Sequence, residues 1–192
     1  LTNPAAWPQL ATDLAAADGG DGSALATLAR AVLTGVRSAA GDPTSAITCA
    51  DSPAREGAQA WPRVIDRLTR VSSIGGPFVG WASWAPCASW PATSADRYTG
   101  PWDAATENPI LVIGTRFDPA TPYANARRVA RLLPNAVLLT HDGFGHTSEA
   151  DPSSCVQRLT SAYLVDLVAP PRGTVCPSDR QPFDAGFGTP LP

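Results

Sequence analysis

The chain of 192 residues contains no methionine and no lysine, so all fourteen basic residues are arginine. The missing methionine points to a processed or excised piece, and no signal peptide is then expected in view. No apolar run approaches the roughly 18 residues that a membrane-spanning helix needs. Net charge is −3 and the arginines are scattered, so no basic patch suggests nucleic acid as a partner. Only two histidines occur, and none of the four cysteines forms a C-x-x-C pair, which argues against a zinc site. No serine stands in a G-x-S-x-G frame, the sharp turn that presents a nucleophile in many hydrolases. Ser83, in Gly80-Trp-Ala-Ser-Trp84, is the nearest match but lacks both flanking glycines. An HGGG-type oxyanion segment is absent too.

What is present describes a folded chain. It is 44% hydrophobic and 16% charged, enough for one substantial domain or a domain with a small partner. Proline makes up 20 of 192 residues and falls mostly between apolar segments, so it punctuates a fold. Four widely spaced cysteines fit two disulfides of an exported protein, with three connectivities open. The alternative is four buried thiols in a cytosolic protein.

The first half reads as helices. One runs from Trp7 through Leu14, stopped by Gly19-Gly20-Asp21-Gly22. In the next, Leu25, Leu28, Ala29, Val32 and Val36 recur at helical spacing, and Gly41-Asp42-Pro43 ends it. A third fits Trp61 to Val71, with Val64, Ile65, Leu68 and Val71 on one face. Gly75 to Pro101, with three of the six tryptophans, reads as an ordered irregular segment.

The second half alternates strand and helix. Pro109 to Gly114 and Ala136 to Thr140 read as strands buried on both faces. Helices are expected over Pro122–Leu133, with Ala126, Val129, Ala130 and Leu133 inward, and after a cap at Ser153 or Ser154. In the latter, Val156, Leu159, Tyr163, Leu164 and Leu167 are in register. Pro170-Pro171 ends it, and Cys176 and Phe183 are candidate anchors of a polar tail. This alternation is that of a parallel sheet. Two strands do not make a stable sheet of that kind, so further strands are expected from outside the chain.

The loops after those strands lie at the sheet edge where functional groups of α/β folds gather. The first holds Asp118; the second is His141-Asp-Gly-Phe-Gly-His146. If the strands are parallel neighbours, Asp118 and His146 meet. An Asp–His pair is two parts of a nucleophilic relay, in which the carboxylate orients the imidazole and the imidazole takes the nucleophile's proton. His146 is favoured over His141 because glycines flank it. A lone Asp in a proline-rich turn is otherwise an ordinary turn former. Thr121 either bonds the Asp118 carboxylate or caps the following helix, and the cap is the simpler reading. Glu56, Asp51 and Glu107 are candidates for binding a substrate ammonium group.

Several of these pieces together resemble a known family. Pro109-Ile-Leu-Val-Ile-Gly-Thr-Arg-Phe-Asp-Pro-Ala-Thr-Pro-Tyr123, Gly143-Phe-Gly-His146, Ser154-Cys-Val156, Tyr163-Leu164, Gly173-Thr-Val-Cys-Pro177 and Pro182-Phe183 are similar to the C-terminal part of actinobacterial α/β-hydrolase serine peptidases of the tripeptidyl aminopeptidase type. Upstream, Ala46-Ile-Thr-Cys-Ala-Asp51 and Cys87-Ala-Ser-Trp-Pro91 also resemble that family. The resemblance implies the C-terminal portion of an α/β-hydrolase fold, with an incomplete parallel sheet over residues 106–192 and a mostly helical cap over residues 1–105. It implies Asp118 as catalytic acid and His146 as catalytic base, no metal or organic cofactor, and a secreted or cell-envelope enzyme. Its substrate would be a peptide with a free N-terminus, as for a tripeptidyl aminopeptidase or proline iminopeptidase. The nucleophilic serine would lie in an N-terminal half, which becomes the expected partner, and this chain alone would be inactive. The pairings expected are Cys49–Cys87 and Cys155–Cys176, each worth about 3 kcal/mol in the chain-entropy account. The alternatives are an esterase acting on a non-peptide substrate and a noncatalytic, disulfide-stabilised binding domain.

Overall fold

A computed structural model describes residues 2–38, 43–52, 57–81, 85–92, 94–184 and 187. The chain forms two compact units, residues 23–99 and residues 1–22 with 100–192.

The 23–99 unit is helical. Helix α1 (Trp7–Asp18) lies outside it, and it holds in chain order α2 (Ser23–Ser38), α3 (Pro43–Asp51), α4 (Trp61–Val71), α5 (Gly75–Val79) and α6 (Ala85–Ala88). Helix α2 ends before Gly41-Asp42-Pro43 as expected, but Pro43 also opens α3, a helix that the sequence reading did not expect. Proline suits that first position, where its missing N–H is not needed. The segment expected to be irregular contributes the two short helices α5 and α6. The Cys49–Cys87 disulfide joins α3 to α6. Trp61 and Val64 of α4 are buried, and Trp61 stacks on Trp81. Helices α4 and α5 pack closely: a side chain on Gly76 would run into the Leu68 carbonyl, and one on Gly80 into Ile65 and Leu68. The stripes end sooner than their spacing implies, since Leu28, Val32 and Val71 are exposed.

The other unit opens with α1 (Trp7–Asp18) and carries the sheet. Strands β1 (Ile110–Phe117), β2 (Ala136–Phe144) and β3 (Val175–Pro177) pair in that order, all parallel. Helix α7 (Tyr123–Leu132) connects β1 to β2, and α8 (Ser154–Asp166) precedes β3. Three expectations are corrected. The first two strands run past Gly114 and Thr140, so His141 to Phe144 belong to β2 and not to a loop. A third strand comes from the tail that reads as merely polar. Strand β1 is only partly buried, because its outer edge pairs with no strand among the described residues.

The core lies between the sheet and α8. Leu139, Val156 and Cys176 are buried there, with Leu111, Cys155 and Leu159 packed against them. Ser153 caps α8 as expected, accepting the Val156 N–H. Cys155–Cys176 ties α8 to β3, and the Tyr163 hydroxyl donates to the Pro109 carbonyl at 2.8 Å. Leu164, Leu167 and Val129 lie outside this packing and are exposed, as is Phe183, so the tail's anchor is Cys176 alone of the two candidates.

Candidate active site

Parallel pairing runs in register from Ile110 opposite Ala136 to Thr115 opposite His141, and then slips. Both chains leave the sheet at one edge. Asp118 follows β1 directly, and its Oδ1 accepts the N–H groups of Ala120 (2.8 Å) and Thr121 (2.9 Å). Its Oδ2 accepts the Thr121 hydroxyl at 2.7 Å and the Thr147 N–H at 3.2 Å. His146 Nδ1 lies 3.0 Å from Oδ2 and 3.2 Å from Oδ1. Burial opposes ionisation of Asp118. The Thr121 N–H and hydroxyl, the Ala120 N–H and His146 outweigh it and hold the carboxyl well below the usual carboxylate range. The Asp118 side chain is 3% exposed and that of His146 40%. An incoming group therefore reaches the imidazole and not the carboxylate. With Nδ1 turned to Asp118, Nε2 is the nitrogen left for a nucleophile.

The backbone around His146 is held from several sides. Gly145 has φ 80°, and a side chain there would collide with Pro4 and the Thr2 carbonyl. The His146 N–H donates to that same carbonyl at 2.7 Å. Thr147 has φ 69°, a region that a β-branched residue occupies at a cost, and there its N–H points at Asp118. Phe144 stacks on Phe117 from the neighbouring strand and meets the edge of Trp7.

Asp118 and His146 meet as the parallel arrangement predicts. Thr121 does not act as the cap of α7, which has no side-chain cap; its hydroxyl goes to Asp118. Its oxygen is also 3.5 Å from His146 Nδ1. Glu56 lies outside the described residues, and Asp51 and Glu107 are exposed. His141 is no loop competitor: it is fully buried in β2, with Nδ1 3.3 Å from the Thr115 hydroxyl oxygen. Both expected disulfides, Cys49–Cys87 and Cys155–Cys176, are formed. Among the described residues no group of three or more His, Cys, Asp or Glu side chains is arranged to hold a metal ion. Sequence reasoning missed the donors from Ala120 and Thr147. The Asp-Pro-Ala-Thr spacing carries a signal for the first, since an Asp commonly accepts N–H groups two and three residues on. Nothing local signals the second, which arrives 29 residues later in the chain.

A family model described as TAP-like protein matches residues 73–176. That stretch is more than half of the chain and contains both Asp118 and His146. The chain is a member of the TAP-like α/β-hydrolase family. As such it carries the C-terminal part of the fold, which accounts for a parallel sheet with an open edge. Carboxylesterase B of Mycobacterium tuberculosis is 34% identical to it over 139 residues, 70% of this chain and 26% of that protein. Serine protease Hip1 of the same species is 31% identical over 187 residues, 92% of this chain and 35% of that protein. Tripeptidyl aminopeptidase of Streptomyces lividans is 26% identical over 145 residues, 72% of this chain and 26% of that protein. This TAP-like chain therefore spans between a quarter and about a third of the length of these curated relatives.

Proposed function

We propose that the chain supplies the acid and the base, Asp118 and His146, of a serine hydrolase whose nucleophile lies in a segment outside these 192 residues. The observation that carries this is the 3.0 Å contact of His146 Nδ1 with a buried, well-bonded carboxylate at the end of two parallel strands. A binding domain has no need for an imidazole oriented on one nitrogen and open on the other. Serine attacks the scissile carbonyl while His146 Nε2 takes its proton. That proton passes to the leaving group, giving an acyl-enzyme, and water attacks by the same route in reverse. Asp118 holds the imidazole tautomer and stabilises the imidazolium. The preferred substrate is a peptide, as the names of two relatives suggest, with a free N-terminus as the name of the aminopeptidase suggests, and the two disulfides favour a secreted or envelope location. By itself this chain is expected to be inactive.

The test uses the complete polypeptide, or this chain together with the segment that brings the serine. A fluorophosphonate probe should label the serine, and His146→Ala should abolish labelling. Asp118→Asn should lower kcat by roughly 10⁴-fold. Labelling that survives His146→Ala undiminished overturns the assignment. The second reading, an esterase, is favoured by the 34% identity to a carboxylesterase. Faster turnover of a p-nitrophenyl ester than of a tripeptidyl anilide, with the same dependence on His146, would select it.

A further inference from the structure

Strand β3 ends at Pro177, opposite Asp142, so β2 runs beyond its neighbour for its last residues. The Phe144 N–H is then without a strand carbonyl on that side. Asp151 supplies the acceptor: its Oδ2 lies 2.7 Å from the Phe144 nitrogen. The same oxygen accepts the Ser178 hydroxyl at 2.5 Å. Asp151 is fully buried, and its Oδ1 has no hydrogen-bond partner. Beside it stands His141, also fully buried, with Nε2 3.7 Å from Asp151 Oδ2 and likewise without a hydrogen bond. Gly143 lies against both, and a side chain there would fall 2.3 Å from Oδ2 and 2.4 Å from the imidazole.

This cluster is an expensive way to hold a sheet. A buried carboxylate with one oxygen unpaired costs stability compared with an apolar residue in its place. What it provides is direction. The hydrogen bond to Oδ2 fixes the backbone at Phe144, two residues before His146. Ser178 ties that point to the segment after β3, which is itself stitched to the start of α8. There the Ser153 hydroxyl donates to the Pro177 carbonyl, and Asp179 accepts the Ser154 N–H and hydroxyl.

We propose that Asp151 is a positioning residue for His146, its carboxylate clamping the Phe144 N–H to Ser178 so that the following turn presents the imidazole to Asp118. The inference rests on the proposed role of His146, but its test does not need activity. With this chain ¹⁵N-histidine-labelled and joined to its unlabelled companion segment, only its two histidine rings are observed by long-range ¹H–¹⁵N correlation, and each is resolved. Wild type should show His146 as the Nδ1-protonated tautomer. In Asp151→Ala that signature should be lost or averaged, and Asp151→Asn, whose side-chain oxygen can still accept both hydrogen bonds, should restore it. Val156→Ala opens the core between the sheet and α8 without touching the clamp, so it should leave the signature in place. Ser178→Ala removes one donor to the clamp and should shift the His146 signals in the same direction by less. An unmoved His146 signature in folded Asp151→Ala overturns the proposal, as does an equal disturbance in Val156→Ala. Should Asp151→Ala not fold, an unmoved signature in Ser178→Ala overturns it. In the complete enzyme the expected companion is a kcat roughly 10²-fold lower for Asp151→Ala with KM little changed. If no variant or wild type turns over substrate, the hydrolase reading fails while the spectra still decide the clamp.

Discussion

Asp118 and His141 are both shielded from water, and their surroundings keep the first ionised and the second neutral. Around Asp118, hydrogen bonds to the ionised form prevail over burial, so the folded chain holds a carboxylate that the unfolded chain protonates more readily. The resulting stabilisation is present above the ordinary aspartate value of about 3.9 and is lost as pH falls below it. Thermal unfolding followed from pH 7 to pH 3 should therefore show a steeper decline below about pH 4 in wild type than in Asp118→Asn. Parallel curves would mean that these hydrogen bonds do not favour the ionised form. For His141, burial lowers the pKa and prevails over the opposing attraction of Asp151, Asp142 and Asp179. The unfolded chain binds a proton below about pH 6.5 that the folded chain refuses, so each pH unit lost there costs up to about 1.4 kcal/mol. Denaturant midpoints between pH 7.5 and pH 5 should fall in wild type and fall less in His141→Gln. Of these two residues, only Asp118 was legible as functional from its place in the chain. In sequence only the flanking glycines set His146 apart from His141; in the fold His141 is fully buried in β2, opposite Cys176 from more than thirty residues away.

At the scale of elements, the helices and first two strands follow from their spacing, but their ends do not. Strand β2 continues through His141, Asp142 and Gly143 because the neighbouring strands offer it partners, not because those residues favour extended structure. Strand β3 has three residues and ends in proline, so no alternation marks it. Helix α3 was hidden for a different reason: proline both stops and starts helices, and the sequence shows it without showing which. Gly143 gives the sharpest test of β2. Its place against Asp151 and His141 leaves no room for a methyl group, so Gly143→Ala should lower stability by about 1–3 kcal/mol in chemical denaturation. A neutral result would mean that the two side chains move apart freely.

For the whole molecule the decisive feature is the open side of the sheet. Strand β1 carries no strand on its outer edge among the described residues, and Ile113 and Phe117 are exposed along it. Such an edge pairs with whatever extended chain it meets. The 192 residues alone should self-associate with rising concentration in sedimentation velocity, and Ile113→Lys should reduce that association. Concentration-independent monomers would show that the edge is blocked. By itself the sequence determined the alternation of strand and helix, the order in which Asp118 and His146 follow two successive strands, and the even set of cysteines. These are local: period, punctuation and residue type are written along the chain. Only the tertiary structure decided that His141 is fully buried, that Thr121 bonds Asp118 and caps nothing, and that a third strand pairs alongside His141. Each of these depends on register and burial between segments tens of residues apart, set by packing across the sheet and not by any one stretch of residues.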